Sequence, residues 1–259
     1  MSTALITGAS GGIGYELAKL FSADKHNLVL VARSGPKLIE FADQLEREFG
    51  VSVRTVQLDL ALTEAPEALF DDLRTSGINV DILVNNAAFG KFGNFADVSL
   101  EESLGQVQLN ITALTHLTKL FLTPMLARGS GKIMNVASTA AFQPGPLMSV
   151  YYATKAYVLS FSEGLENELR GTGVTVTCLC PGPTLTSFQQ RAGMERSRLF
   201  QQFGPMDPKT VALDGYRALM KGESLKISGA KNWIVAQSVR FAPRNVVTAI
   251  SRWVTEKVE

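Results

Sequence analysis

Tyr151 and Lys155 form the pair in this sequence whose residue types and spacing could do acid–base chemistry. They are four residues apart in a stretch with a helical pattern, so their side chains would lie on one face of a helix. A free phenol has a pKa of about 10, and a neighbouring ammonium group favours the phenolate and lowers that pKa. The pair could therefore pass a proton to or from a carbonyl oxygen. The same spacing also fits an ordinary pair on a helix surface.

Ser138 lies thirteen residues before Tyr151, directly after the apolar run 133–137. This position predicts that Ser138 lies at the carboxyl edge of a parallel strand, where open α/β sheets bind ligands. Its hydroxyl group could donate a hydrogen bond to a substrate oxygen, as an oxyanion stabiliser does. Alone, this serine would equally fit a loop or a helix cap. The combination with Tyr151 and Lys155 is more specific than any of its members.

A glycine-rich segment from Thr7 to Gly14, with the sequence T-G-A-S-G-G-I-G, follows the first predicted strand and precedes a helix. Glycines there allow a tight turn and a close approach of backbone N–H groups to phosphate, and the helix N-terminus adds partial positive charge. The first strand-to-helix junction is where a dinucleotide binds. No Gly-Lys-Ser/Thr follows, so the segment is not a P-loop. A structural turn without a ligand stays as the alternative.

The end of the second predicted strand bears on the choice between NAD and NADP. NAD-binding units carry Asp or Glu about 20 residues beyond the glycines, where it accepts hydrogen bonds from ribose hydroxyls. Here the strand ends at Ala32, and Arg33 and Ser34 follow. Arg33 could form charge-assisted hydrogen bonds to a 2′-phosphate, with Ser34 and Lys37 assisting. We predict NADP(H), with a solvated strand-end arginine as the alternative.

The composition excludes several classes of protein. The 259 residues include 25 Lys plus Arg and 24 Asp plus Glu, for a formal charge of +1, and 46% are hydrophobic. This balance lacks the clustered positive charge of a general nucleic-acid binder, and the apolar content excludes dominant disorder. No apolar run approaches the roughly 18 residues that a membrane span needs, and no signal peptide is evident. We therefore expect a cytoplasmic protein.

The two cysteines, Cys178 and Cys180, lie in an alternating β-branched run. Residues two apart on a strand point to the same face, so both thiols would be buried on one side of a strand. The only histidines are His26 and His116, far apart in sequence, and we expect no metal site. A redox or metal role is the alternative.

The elements that must position these residues alternate short apolar strands with amphipathic helices. We predict strands at Thr3–Thr7, Asn27–Ala32, 52–58, 81–85, 132–137 and 174–179. This pattern predicts one α/β domain with a Rossmann-like, doubly wound parallel sheet and helices on both faces. The pattern changes after Pro181. We expect a dinucleotide-binding and catalytic core over 1–183, a late helical substrate lid with further helices over 184–230, and a C-terminal segment over 231–259.

With these motifs in this order, the chain resembles the short-chain dehydrogenase/reductase family over residues 1 to 185. The matching positions are the glycine turn 7–14, Asp59, the segment Asn85-Asn86-Ala87-Ala88, the tetrad Asn110, Ser138, Tyr151 and Lys155, and Pro181-Gly182 with Thr186.

The resemblance implies hydride transfer between a nicotinamide and a carbonyl or alcohol carbon. Tyr151 would protonate the developing alkoxide, and Ser138 would hold the oxygen. Lys155 would lower the pKa of Tyr151 and bind the nicotinamide ribose, and Asn110 would hold a water of a proton relay. The implied cofactor contacts are Gly8, Ser10, Gly11, Gly12, Ile13, Gly14, Arg33, Ser34, Asp59, Leu60, Asn86, Ala87, Ala88, Tyr151, Lys155, Pro181, Gly182, Thr184 and Thr186.

One position departs from the family pattern, because Ala88 stands where the family usually has glycine. If this position requires a positive φ angle, the methyl group would cost about 1 kcal/mol and could shift the loop that follows. We expect the alanine to be tolerated.

The substrate walls are expected in the loop 139–150 and the insertion 185–203. Their apolar residues are Phe142, Pro144, Leu147, Met148, Phe188, Leu199, Phe200 and Phe203. They favour a lipophilic ketone, aldehyde, secondary alcohol or 3-oxoacyl compound. Ordinary packing would explain each residue equally well.

Two rival functions stay open. The protein could be an NADP(H)-binding sensor or regulator with little or no turnover, or an epimerase or dehydratase that uses transient oxidation. By resemblance, a homodimer or homotetramer would form through the helices near 114–127 and 153–169. The C-terminal stretch 233–258 could extend that interface or cap the pocket.

Overall fold

The computed structural model describes residues 1–202 and 204–258, and its central feature is one sheet of seven parallel strands. The strands are β1 (Thr3–Thr7), β2 (Asn27–Ala32), β3 (Val53–Gln57), β4 (Ile82–Asn85), β5 (Gly131–Val136), β6 (Val174–Cys180) and β7 (Leu225–Ile227). Their spatial order is β3-β2-β1-β4-β5-β6-β7. Because the order reverses between β1 and β4, the crevice at their carboxyl ends is a topological switch point, where such sheets bind ligands.

Helices cover both faces of this sheet. The α-helices of the described chain are α1 (Gly12–Ala23), α2 (Gly35–Phe49), α3 (Ala65–Thr75), α4 (Leu100–Val107), α5 (Leu114–Arg128), α6 (Ser149–Glu168), α7 (Phe188–Ala192), α8 (Arg198–Gln202), α9 (Pro208–Lys221), α10 (Ala230–Ser238) and α11 (Arg244–Thr255). A π-helical turn, Gln108–Ala113, joins α4 to α5, and 3₁₀ turns occupy Thr139–Phe142 and Val239–Phe241.

The apolar core lies in two layers because successive strand residues point to opposite faces. On β1, Ala4 and Ile6 pack with α1, α2 and α9, whereas Leu5 packs with α3 and α5 on the other face. A sheet buried on both sides explains why its strands are apolar throughout rather than alternating. The predicted doubly wound, Rossmann-like α/β fold is therefore confirmed.

The strand predictions agree with the structure at both ends of β1 and β2, differ by a single residue at one or both ends of β3 to β6, and miss β7. This strand has only three residues, of which Lys226 is charged, so neither its length nor its composition stands out. It pairs with β6 in parallel and places α10 beside the site.

We call the segment between β6 and α9, which carries α7 and α8, the lid. Its base is closed by hydrogen bonds from the Leu185 N–H group to the Met206 carbonyl (2.9 Å) and from the Met206 N–H group to the Pro183 carbonyl (2.7 Å). Its outer part is joined to the residue that follows α11 by a hydrogen bond from the Arg198 N–H group to the Glu256 carbonyl, at 2.9 Å. The helix α9, by contrast, packs into the core against α1.

None of the described helices has both the length and the apolar character that crossing a bilayer would require.

Candidate active site

The glycine turn brings the start of α1 close to the end of β4. Gly8 has a φ of +68°, in the left-handed region that favours glycine. A Cβ atom on Gly14 would lie 2.6 Å from the Gly8 carbonyl oxygen and 2.5 Å from the Asn86 amide nitrogen. Only glycine fits at position 14 without a shift of the backbone, so Gly14 allows the turn to close tightly.

A hydrogen-bond network centred on Thr7 holds this turn against the loop after β4. The Thr7 hydroxyl donates to the Val84 carbonyl at 3.2 Å and accepts from the N–H groups of Asn86 (2.9 Å) and Ala87 (3.0 Å). The Asn86 side-chain amide donates to the carbonyls of Thr7 (2.8 Å) and Gly8 (3.3 Å). Asn86 thus shapes the turn with its side chain, in addition to lining the cavity beside it.

Ala88 causes no backbone strain. In the described chain the only non-glycine residues with positive φ are Lys25 and Leu147, so the condition under which the methyl group of Ala88 would cost energy is not met. The residue lines the cavity with an ordinary backbone conformation.

Asn110 lies in the π-helical turn between α4 and α5 and is almost fully buried. Its side chain accepts from the Phe89 N–H group at 3.1 Å and donates to the Phe89 carbonyl at 2.9 Å and the Thr154 hydroxyl at 3.0 Å. Thr154 in turn donates to the Tyr151 carbonyl at 2.7 Å. Asn110 therefore links the loop after β4 to the helix that carries Tyr151, and π-turns recur at such functional positions.

Ser138 and Tyr151 lie together at the carboxyl end of β5. Ser138 caps the 3₁₀ turn by accepting from the Ala140 N–H group at 3.1 Å, and its hydroxyl lies 3.4 Å from the Pro181 carbonyl. Part of Tyr151 faces the cavity, yet the surrounding protein desolvates its phenol and raises its pKa above the ordinary value. The Ser138 hydroxyl acts in the opposite direction and lowers that pKa.

Lys155 is buried, and its ammonium group donates to the Val136 carbonyl at 2.7 Å. Burial lowers the pKa of Lys155 to about 8, while the thiols of Cys178 and Cys180 oppose this shift. The ammonium nitrogen is 5.8 Å from the centre of the Tyr151 ring. The largest effect on the Tyr151 phenol is burial, which raises its pKa. That Lys155 lowers this pKa stays a prediction.

The two cysteines lie as the strand pattern predicts. Both are free and buried on β6, with their sulfur atoms 3.9 Å apart. Among the described residues no group of three His, Cys, Asp or Glu side chains could hold a metal ion.

One cavity of about 890 Å³ is lined by the glycine turn, the strand ends and the catalytic candidates. Of the residues predicted for the site, it is lined by Gly8, Ser10, Gly11, Gly12, Ile13, Arg33, Ser34, Asp59, Leu60, Asn86, Ala87, Ala88, Ser138, Tyr151, Lys155, Pro181, Gly182, Thr184 and Thr186. Gly14 and Asn110 do not line it, since the first packs behind the turn and the second lies behind Phe89.

One end of the cavity carries several basic side chains. Arg33 is two-thirds exposed, with its guanidinium 4.0 Å from the Asp59 carboxylate, and Lys37 lines the same cavity. Arg191 of α7 also lines it, and burial together with the charge of Arg33 lowers the pKa of Arg191. Sequence reasoning missed Arg191, because its approach to Arg33 depends on how the lid folds back over the sheet.

The opposite end of the cavity is mostly apolar. Among the predicted wall residues, Met148, Phe188, Leu199 and Phe200 line it, and Tyr151 packs on Phe188 with ring centres 5.1 Å apart. Three predictions are wrong, because Phe142, Pro144 and Leu147 do not line this cavity. Phe142 packs instead with the buried cluster around β6. Phe203 lies outside the described residues.

The C-terminal segment supplies a further wall that the sequence left undecided. Val235 and Val239, from α10 and the 3₁₀ turn, line the cavity together with Val247, Ile250 and Val254 of α11. The segment therefore caps the pocket.

Comparison with known proteins agrees with this geometry. The family model described as short chain dehydrogenase matches residues 2–197. The chain belongs to the short-chain dehydrogenase family. It is 34% identical over 180 residues to the ketoacyl reductase HetN of Nostoc sp., a match that covers 70% of this chain and 62% of HetN.

Two solved structures of the short-chain dehydrogenase type resemble the whole fold. A short-chain dehydrogenase from Sphingobium yanoikuyae in complex with NADPH has a TM-score of 0.82 and 33% identity, covering 93% of this chain and 94% of that one. The bulky-bulky ketone specific alcohol dehydrogenase from Comamonas testosteroni has a TM-score of 0.79 and 31% identity, covering 93% and 92%.

The close contact at Gly14 gives a test of the turn. We expect Gly14→Ala to lower the free energy of unfolding by about 1–3 kcal/mol, because its Cβ atom would press on the Gly8 carbonyl. The measurement is chemical unfolding followed by circular dichroism. The control is Gly164→Ala on the exposed side of α6, where a Cβ atom meets nothing within 4 Å and alanine favours the helix. Equal stability of the two variants would contradict this account.

Proposed function

We propose that this protein is an NADP(H)-dependent oxidoreductase that transfers a hydride between the nicotinamide and a carbonyl or secondary alcohol carbon. The supporting observation is that Ser138, Tyr151 and Lys155 line the same cavity as the glycine turn. A carbonyl oxygen placed against both hydroxyls would accept two hydrogen bonds, as a developing alkoxide requires.

The glycine turn has the space and the donors that a dinucleotide pyrophosphate needs. A Cβ atom on Gly11 would meet no atom within 4 Å, and α1 begins at Gly12 without a capping side chain. The first N–H groups and the partial positive charge of α1 favour phosphate at this position. Gly11, Gly12 and Ile13 would hold the phosphates, and Lys155 would hold the nicotinamide ribose. The bound cofactor would supply or accept the hydride.

The chain's own residues would handle the proton. Burial raises the pKa of Tyr151, which keeps the phenol protonated and able to donate to a substrate oxygen at neutral pH. Ser138 would stabilise the same oxygen. Lys155, with a pKa lowered to about 8, can both hold and release a proton near neutral pH and would restore the proton on Tyr151. Asn110 would act as a positioning residue through Phe89 and Thr154.

The basic end of the cavity supports NADP(H) over NAD(H). Arg33, Lys37 and Arg191 would surround a 2′-phosphate, and Ala32 leaves β2 without the acid that would accept hydrogen bonds from a 2′-hydroxyl. The NADPH complex of the similar Sphingobium dehydrogenase is consistent with this choice.

The apolar end supports a lipophilic ketone, aldehyde or 3-oxoacyl compound as substrate. Its walls are side chains such as Met148, Phe188 and Phe200, and the buried Gln143 side-chain oxygen has no hydrogen-bond partner among the described residues. Such an acceptor could receive a hydrogen bond from a polar group of the substrate. A ketoacyl reductase and a bulky-ketone dehydrogenase are among the similar proteins. A cytoplasmic location remains a prediction.

We also propose that the chain forms a homodimer through α4 and α6. The resemblance implied α5 and α6, but of the large apolar side chains of α5 only Leu126 is exposed. Leu100, Leu104 and Val107 are exposed and form one stripe along α4, and α6 lies beside α4 with Tyr157 exposed. Exposed apolar stripes of this kind are typical of interfaces.

The role of Tyr151 can be tested with Tyr151→Phe in NADPH oxidation with a panel of ketones, aldehydes and 3-oxoacyl esters. We expect turnover to fall by about 10²- to 10⁴-fold with NADPH binding unchanged, because only the proton donor is removed. The control is Tyr157→Phe on the same helix, whose hydroxyl bonds to Thr115 at 3.0 Å. Retained turnover in Tyr151→Phe would refute the assignment. NADPH binding without turnover in the native protein would favour a sensor.

The cofactor preference can be tested with Arg33→Ala and Arg191→Ala in fluorescence titrations with NADPH and NADH. We expect each variant to weaken NADPH binding by about ten- to hundredfold, the effect of one lost charge-assisted hydrogen bond, and to leave NADH binding nearly unchanged. Arg47→Ala on α2 serves as the control. Equal affinities of the native protein for NADPH and NADH would contradict the prediction.

The assembly can be tested with Leu104→Asp in light scattering at micromolar concentration. We expect the native protein to have the mass of a dimer and the variant that of a monomer, because a buried carboxylate opposes the contact. Ile39→Asp, at an exposed apolar position on α2, should leave the dimer intact. A native monomer would contradict the proposal.

A further inference from the structure

The C-terminal part of the chain exposes an unusual number of large apolar side chains. We call the outer face of α10, the 3₁₀ turn 239–241 and α11 the C-terminal surface. Its exposed apolar residues are Trp233, Ile234, Val235, Phe241, Val246, Ile250 and Trp253. Both tryptophans of the protein lie here about half exposed, and Phe241 is 89% exposed. Exposed apolar patches of this kind are typical of surfaces that bind a protein, a membrane or a ligand.

All charged residues of the same segment are basic. Between Glu223 and Glu256 the sequence contains no acidic residue. Its cations are Lys226, Lys231, Arg240, Arg244 and Arg252. Arg252 pairs with Glu256 at 3.2 Å, whereas no ion pair within the described chain involves Arg240 or Arg244. The surface therefore combines exposed aromatic rings with positive charge in a protein whose overall formal charge is +1.

The C-terminal surface is continuous with the apolar end of the cavity. Val235 and Ile250 are about half exposed to solvent and also line the cavity, and their neighbours Val239 and Val247 line it as well. A molecule that covers this surface would therefore also cover the wall that separates the apolar end of the cavity from solvent.

We propose that the C-terminal surface binds the interface of an anionic lipid bilayer. Trp233, Phe241 and Trp253 would lie at the level of the headgroups, and Arg240 and Arg244 would pair with lipid phosphates. Basic helices with Trp and Phe on their apolar side bind bilayers in this way, through buried apolar area together with attraction to anionic lipid. No helix crosses the bilayer in this arrangement.

The charge pattern favours a lipid surface over a second copy of the chain. A symmetric contact would place the same basic patch of both copies against each other. The acid at the end of α11, Glu256, already pairs with Arg252 and Arg198 of its own chain. An anionic bilayer supplies the missing charge. If the protein has the proposed function, lipophilic substrates would enter the cavity from the bilayer, but lipid binding itself does not depend on that function.

The test is co-sedimentation of the full chain with vesicles of phosphatidylcholine alone and of phosphatidylcholine mixed with phosphatidylglycerol, at low and high salt. We expect binding to the anionic vesicles only, and weaker binding at high salt. Because both tryptophans lie on the C-terminal surface, their fluorescence should shift to shorter wavelength on binding.

Two variants locate the binding surface. The double variant Arg240→Glu with Arg244→Glu should lose at least about tenfold in partitioning, since each cation near an anionic bilayer contributes about fivefold. Phe241→Asp should lose a comparable amount. The matched controls are Arg47→Glu on α2 and Phe95→Asp, whose ring is also well exposed. Thermal unfolding followed by circular dichroism checks that all variants fold.

Several outcomes would overturn the proposal. The native protein would not bind anionic vesicles at low salt, or the Arg240/Arg244 and Phe241 variants would bind them as strongly as the native protein. A loss of vesicle binding in the two controls equal to that in these variants would also overturn it. A lower mass of Phe241→Asp in light scattering would show that the surface joins two copies of the chain. All of these readouts are obtained without turnover, so they stand apart from the test of the catalytic role of Tyr151.

Discussion

The hydroxyl group of Thr7 is the point on which the geometry of the site depends. A threonine hydroxyl can donate once and accept twice, and here the Val84 carbonyl and the N–H groups of Asn86 and Ala87 use all three possibilities. It thereby joins the ends of β1 and β4 where the strand order reverses. The tight glycine turn and the position of the loop after β4, which Asn110 holds at Phe89, both follow from this junction.

Burial is the second constraint, and it acts on the two titratable groups of the site in a related way. It raises the pKa of Tyr151 and lowers the pKa of Lys155 to about 8, so in each case it favours the uncharged form. Hydrogen bonds to developing charge are stronger in such surroundings than in water. The site therefore concentrates its chemistry in a few polar contacts within an apolar wall.

The sequence predicted the sheet and most of the residues that line the cavity, because strands buried on both faces and a glycine turn have strong local patterns. It could not predict β7, whose three residues gain their conformation from pairing with β6. It missed Arg191, since nothing local relates a lid residue to Arg33. It could not predict the burial that raises the pKa of Tyr151, because this burial comes from packing between elements distant in sequence.

The lid that carries α7 and α8 is closed on itself at Leu185 and Met206 and held on its outer side by the C-terminal residues. The core, including α9, continues on either side of this closure. The entropy of closing such a loop changes only slowly with its length. The walls of the cavity that the lid supplies can therefore change during evolution, by substitution or insertion, while the sheet, the glycine turn and the surroundings of Tyr151 keep their fold. Divergence in substrate preference among relatives with the same core is the expected consequence.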